Sequence, residues 1–275
     1  MPAAGIRCVG GRGRPYRRGV LSDEQLGRFG RDGFLVVPDV VPEALLAAAD
    51  AEVDALFAAD PPPAGTVGPH FAFLPPERLP AADAALRASP ALALAEALVA
   101  PLRLDHALDH IQVALNIPPY PQRPGGPHID GHRPDQDRPH SFTLLAGIAL
   151  DDVARDGPGN LWVWPGSHRL HQRVFVERGP GALLPASGHV TNLEPPPPPP
   201  GPILRALGTP TPVPLRRGDL LLAHYLLGHN TGDNATTTVR RTLYHRLATP
   251  THAGRWEATF LDPLTEFAPV RPHAP

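Results

Sequence analysis

The spacing of apolar and polar positions changes once along this chain, near residue 111, and the change divides it. Before that point the spacing is helical. Ser22 is a good N-cap, Gln25 stands at the third helical position as in a capping box, Leu26 and Phe29 follow at helical intervals, and Gly33 ends the helix. Phe34-Leu35-Val36-Val37 is a short apolar strand stopped by Pro38. Residues 42–59 read as a long Ala/Leu-rich amphipathic helix with Pro42 near its first turn. Residues 61–76 are expected to form a loop containing His70, Phe71 and Phe73, and a further helix over 80–99 breaks at Pro90.

From Ile111 the period is two. Gln112, Ala114 and Asn116 point one way, and Ile111, Val113, Leu115 and Ile117 the other, before Pro118-Pro119. Strands are predicted again at 141–150, 161–163, 213–215, 219–224, 240–247 and 255–260. Short strands with Gly/Pro punctuation behind N-terminal α-helices predict a mainly β fold, either an antiparallel barrel or a two-sheet jelly roll. Arg217-Gly218-Asp219 reads as a hairpin turn before an apolar strand. Trp162 and Trp164 share a face and read as packing between sheets, and Pro165-Gly166-Ser167-His168 reads as a turn with a structural histidine.

Length adds that 275 residues suit one domain. Residues 1–20, with five arginines between Arg7 and Arg18 among glycines, read as a flexible tail, and 21–275 as a single domain. Six consecutive prolines cannot join a sheet ladder, so 194–202 reads as a stiff loop insertion in that domain. A net charge of −2 argues against a nucleic-acid or acidic-membrane partner. Cys8 is the only cysteine, which excludes an intrachain disulfide and a zinc–thiolate site. No apolar run approaches the roughly 18 residues needed to span a bilayer, and no apolar segment follows the N-terminal arginines as a secretory signal requires. A cytoplasmic protein, monomer or homodimer, acting on a small molecule is the expectation.

The chemistry begins at His128-Ile129-Asp130. Residues i and i+2 of an extended chain share a face, so His128 and Asp130 can turn inward together. A third histidine, His229, stands in Gly228-His229-Asn230-Thr231. Two histidines and one carboxylate hold Fe(II) by one face and leave three positions open. Arg240, eleven residues beyond His229, can sit on the next strand and fork onto a carboxylate. That combination reads as an oxygenase that uses a keto-diacid. A His-x-Asp pair alone would mean little in a chain with fourteen histidines; order, spacing and neighbours together carry the reading.

With these residues the chain resembles the phytanoyl-CoA dioxygenase-like family of Fe(II)/2-oxoglutarate oxygenases. The resemblance runs over about residues 20–250: Leu21-Ser22 to Val37, Gln112-x-x-x-Asn116, His128-x-Asp130, Gly159-Asn160-Leu161-Trp162-Val163-Trp164-Pro165-Gly166-Ser167-His168, Arg217-Gly218-Asp219 and Gly228-His229-Asn230-Thr231 with Arg240. It implies a double-stranded β-helix (jelly-roll, cupin-like) core, with His128, Asp130 and His229 as iron ligands. It also implies that Arg240 and Thr231 bind the distal carboxylate of 2-oxoglutarate and that Gln112 and Asn116 contact the cosubstrate. Strand alternation makes Arg241 the outward neighbour of Arg240. No lysine occurs in the chain, so a lysine partner for the cosubstrate is excluded.

The implied cofactors are Fe(II), 2-oxoglutarate and O₂, and the implied reaction is hydroxylation of a small molecule with release of succinate and CO₂. Related halogenases have a small residue at the Asp130 position, so a carboxylate there favours hydroxylation, with desaturation, cyclisation or epimerisation as alternative outcomes. Substrate contacts are expected from His70, Phe71, Phe73, His132, Arg133 and Tyr225. Two other classes stay open: a cupin-like metal enzyme that does not use 2-oxoglutarate, against which Arg240 and Thr231 argue, and a non-catalytic jelly-roll binding module.

Overall fold

The computed structural model describes residues 20–131, 139–182 and 207–274. The tail at 1–19, the 194–202 proline run, His132 and Arg133 lie outside the described residues. Helix α1 (Asp23–Asp32) has the anticipated capping box: Gln25 N–H donates to Ser22 Oγ, and the Gln25 side-chain oxygen accepts from Ser22 N–H. Gly33 closes it, with its N–H on Phe29 O. Strand β1 (Phe34–Val37) leads to α2 (Glu43–Ala59), and two short helices, α3 (Pro80–Arg87) and α4 (Ala91–Ala97), meet at Pro90 as its missing N–H requires.

Six antiparallel strands form the main sheet, in the order β1, β7 (Leu220–His224), β4 (Leu144–Ala149), β9 (Arg240–Ala248), β3 (Asp105–Ile117) and β2 (Gly68–Leu74). A second sheet orders β6 (Thr211–Pro212), β5 (Leu161–Val163) and β8 (His229–Thr231). The central strands β4 and β7 are buried along their whole length, which explains why they are apolar apart from His224 at the end of β7. One face of the main sheet packs under α2, α3 and α4 through Leu46, Ala49, Val53, Leu86 and Leu94. The other face, with Ala114, Leu145, Ala223 and Tyr244, packs toward Leu161 and Val163 of the small sheet.

Three expectations are corrected. Residues 213–215 lie outside the strands, with β6 at Thr211–Pro212 before them and Leu215 in an isolated bridge to Val153. Residues 68–74 form an edge strand, where a proline such as Pro69 is tolerated because one side of the strand needs no ladder bond. Residues 255–260 belong to helix α6 (His252–Leu261), and Trp256 and Phe260 share one of its faces, with ring centroids 5.3 Å apart. Helix α5 (Ser167–Arg178), beginning directly after the Gly166 turn, is an element the pattern did not reveal. Among the described residues no helix is long and apolar enough to cross a membrane.

The C-terminal segment is fastened by a buried polar network. Glu266 accepts from His252 Nδ1 at 2.7 Å, from Thr143 Oγ1 at 2.7 Å and from Thr249 Oγ1, while His252 Nε2 meets Ser141 Oγ at 2.9 Å. These partners hold the Glu266 carboxyl below its usual range although burial alone would raise it. Leaving a buried polar or charged group without its hydrogen-bond partner costs about 1–3 kcal/mol or more. His252→Ala should therefore lower the urea midpoint strongly, and an unchanged midpoint would show that the network contributes nothing to stability.

Candidate active site

His128 and His229 lie on different chain segments but are each other's backbone partners. Each N–H donates to the other's carbonyl at 3.1 Å, so the imidazoles leave one narrow bridge side by side, with ring centroids 4.5 Å apart. Asp130 completes the group: its Oδ1 is 3.5 Å from Nε2 of both histidines. One donor atom from each residue lies within 4.8 Å of the others. The His229 Nδ1 proton goes to Leu227 O at 3.0 Å, which leaves Nε2 as the free lone pair. Directly after Asp130 the chain turns at Gly131, where φ is +66° and a Cβ would collide with His140 O.

Electrostatics favour an ionised carboxylate here. Burial alone would raise Asp130, but the Arg246 guanidinium and the two imidazoles hold it well below the usual carboxylate range. Burial lowers His229 and the Asp130 carboxylate outweighs it, so His229 is raised. Arg246 was not singled out in the sequence. Strand alternation would have found it, since Arg240, Thr242, Tyr244 and Arg246 are alternate residues of β9.

The triad opens into a cavity of about 500 Å³ between the sheets. Arg240 and Thr231 line it, as does Gln112. Arg240 is 5% exposed and tied down by Nε on Gly159 O at 2.7 Å and Nη1 on Thr242 Oγ1 at 3.0 Å. Gly159 has φ +86°, and a Cβ there would lie 3.0 Å from Asn116 Nδ2, so glycine lets this carbonyl approach the arginine. The phytanoyl-CoA dioxygenase family model matches residues 29–242. The chain belongs to that family of Fe(II)/2-oxoglutarate-dependent oxygenases.

The fold of this oxygenase is similar to that of SnoK, a non-heme alpha-ketoglutarate-dependent carbocyclase from nogalamycin biosynthesis, at 21% identity over 86% of this chain and 87% of that one, TM-score 0.61. HygX from Streptomyces hygroscopicus, solved with nickel and 2-oxoglutarate bound, is 20% identical over 84% of this chain and 88% of its own, TM-score 0.57. The nogalamycin epimerase SnoN is 24% identical over 82% and 81%, TM-score 0.53. No functionally curated protein matches the sequence.

The remaining expected site residues of the oxygenase divide by strand face. Phe71 pairs with Ala114 and lines the cavity; Phe73 pairs with Gln112 and is exposed beside it. His70 points to the opposite face, its ring 6.0 Å from Phe57 of α2, and is not a cavity residue. Tyr225 is also corrected: it is buried between Phe142 and Phe260, with centroids 4.8 and 5.3 Å away, and does not line the cavity. Asn116 stands behind the wall, donating to Gly232 O at 2.9 Å. Trp162 and Trp164 are buried and absent from the lining, as packing residues should be. His168 is buried, its Nε2 3.3 Å from Gly30 O, and burial pushes its pKa well below the usual value. Tyr120, Tyr244 and Val67 are lining residues the sequence did not suggest.

Proposed function

We propose that His128, Asp130 and His229 hold Fe(II) and that Arg240 and Thr231 bind the distal carboxylate of 2-oxoglutarate, with Gln112 beside it. In this reading residues 21–275 are one domain with a double-stranded β-helix core. The observation that carries it is the convergence of three donor atoms, two imidazole and one carboxylate, at the floor of a cavity whose wall holds a buried arginine. The donor set fits the group, since imidazole and carboxylate on one face suit Fe(II) and leave positions for a chelating keto-acid and O₂.

Bound iron would supply O₂ activation coupled to decarboxylation of 2-oxoglutarate. The chain's own residues do the rest. Arg240 orients the cosubstrate by a charge-assisted fork in a site shielded from water. Thr231, two residues from His229 on the same face of β8, adds a hydroxyl. Phe71, Tyr120 and Tyr244 give the substrate side an apolar wall that excludes water from competing reactions. The substrate is a small molecule of natural-product or amino-acid-like type, hydroxylated at an unactivated C–H, in the cytoplasm. The likeness to a carbocyclase and an epimerase of nogalamycin biosynthesis supports a natural product, with cyclisation or epimerisation as the alternative outcome.

Anaerobic titration of the apoprotein with Fe(II) and then 2-oxoglutarate tests this. A weak visible metal-to-ligand charge-transfer band is expected, and its absence with iron bound would sink the reading. His229→Ala should lose iron, whereas His168→Ala should retain it at wild-type stoichiometry. The reverse pattern would show that the distal ligand is misassigned.

A further inference from the structure

Resting on that ligand reading, we propose that Arg246 is a positioning residue that restricts Asp130 to one-oxygen coordination and so keeps the cosubstrate's positions on the metal open. The two carboxylate oxygens of Asp130 are divided between different partners. Oδ1 faces both imidazole Nε2 atoms at 3.5 Å. Oδ2 accepts from Arg246 Nε at 3.0 Å and from Arg246 Nη2 at 2.6 Å, so both donors converge on the one oxygen turned away from the histidines. A fork laid across both oxygens would have blocked the ligand atom; a fork on one oxygen leaves the other free.

The arginine itself cannot swing away. It is 7% exposed, and its guanidinium carbon lies 5.8 Å from the ring centres of both Phe73 and Phe142. Its third nitrogen, Nη1, is buried with no hydrogen-bond partner among the described residues, so Asp130 is the only carboxylate it meets there. Carboxylates bind metals through one oxygen or through both. Freed from Arg246, Asp130 could turn Oδ2 onto the ion and occupy a position that a keto-acid chelate needs. Second-sphere partners of metal-binding carboxylates commonly change affinity or activity by 10- to 100-fold. Arg246 also differs in kind from Arg240, which shares its strand face but has no contact with a metal-ligand candidate.

The test uses the full chain, loaded anaerobically with Fe(II) and titrated with 2-oxoglutarate, as wild type, Arg246→Gln and Arg246→Lys. Retained iron and the charge-transfer band are both read, with circular dichroism as the fold control. The expected result for folded Arg246→Gln is iron retained near wild-type stoichiometry, with half-saturating 2-oxoglutarate raised at least tenfold or the band lost. Arg246→Lys, which keeps the charge but cannot place two donors on one oxygen, should retain iron with a smaller rise, and it carries the test if the Gln variant does not fold. A wild-type band at wild-type half-saturation in the folded variant would overturn the proposal. Iron and band lost together would overturn it as well, since Arg246 would then serve only to keep Asp130 ionised. A wild type that binds iron but shows no band would sink the functional reading and this proposal with it, whereas a normal wild-type band beside an unaffected variant sinks this one alone.

Discussion

Asp130→Ala is expected to leave a protein that neither retains Fe(II) through gel filtration nor forms succinate. Two effects act together. Two neutral imidazoles hold Fe(II) poorly, and second-sphere support does not replace a missing anionic ligand. The substitution also strands Arg246, which is buried and has Asp130 as its carboxylate partner, so a cation is left facing the place where another cation must bind. Removing one member of such a buried pair costs about 3–5 kcal/mol of stability, and the thermal midpoint should fall with activity. Iron stoichiometry and succinate yield decide the matter. Substrate-triggered succinate at the wild-type rate would refute the ligand assignment, whereas a halogenated product in high chloride would leave it standing.

Arg240→Ala should raise the KM for 2-oxoglutarate strongly with a smaller change elsewhere. Truncating one partner of a buried charge-assisted contact costs about 2–5 kcal/mol, or roughly 30-fold to several thousand-fold in affinity. Arg240→Lys should rescue in part, because an ammonium cannot reproduce the fork. The neighbouring arginine is the control. Arg241 faces the helical layer, where it pairs with Asp151 at 2.9 Å, Asp54 at 3.1 Å and Asp50 at 3.2 Å. Arg241→Ala should therefore lower stability and leave the KM near wild type. Succinate formation against 2-oxoglutarate concentration reads both variants, and a larger KM defect in Arg241→Ala would mean that the diacid binds elsewhere.

The parts of this molecule legible in its sequence are those governed by local rules. The Ser22–Gln25 capping box needs only neighbouring residues, and strand alternation separates Arg240 from Arg241 without knowledge of the rest of the fold. His128, Asp130 and His229 were legible because a His-x-Asp pair and a distant histidine are the donor pattern that a two-histidine, one-carboxylate site would require, and the fold brings the three donor atoms together. What stayed hidden depends on neighbours distant in sequence. Residues 68–74, which open on the turn-forming pair Gly68-Pro69, are a strand because β3 offers them a free edge. Residues 255–260 alternate like a strand, yet they lie in a helix whose aromatic face packs against Phe175 and Tyr225. Arg246 gave no motif of its own, and its role appears only when β9 is set beside Asp130.

The backbone bridge between His128 and His229 bears on how an ion held by the proposed ligands would leave. Neither imidazole can be withdrawn singly, because moving either segment breaks the two main-chain hydrogen bonds that join them, in addition to any bond to an ion held between them. Dissociation of an ion held there would then follow the opening of this bridge between the 128 segment and β8, so its off-rate and deuterium uptake at the His128 and His229 amides would be two readings of a single event.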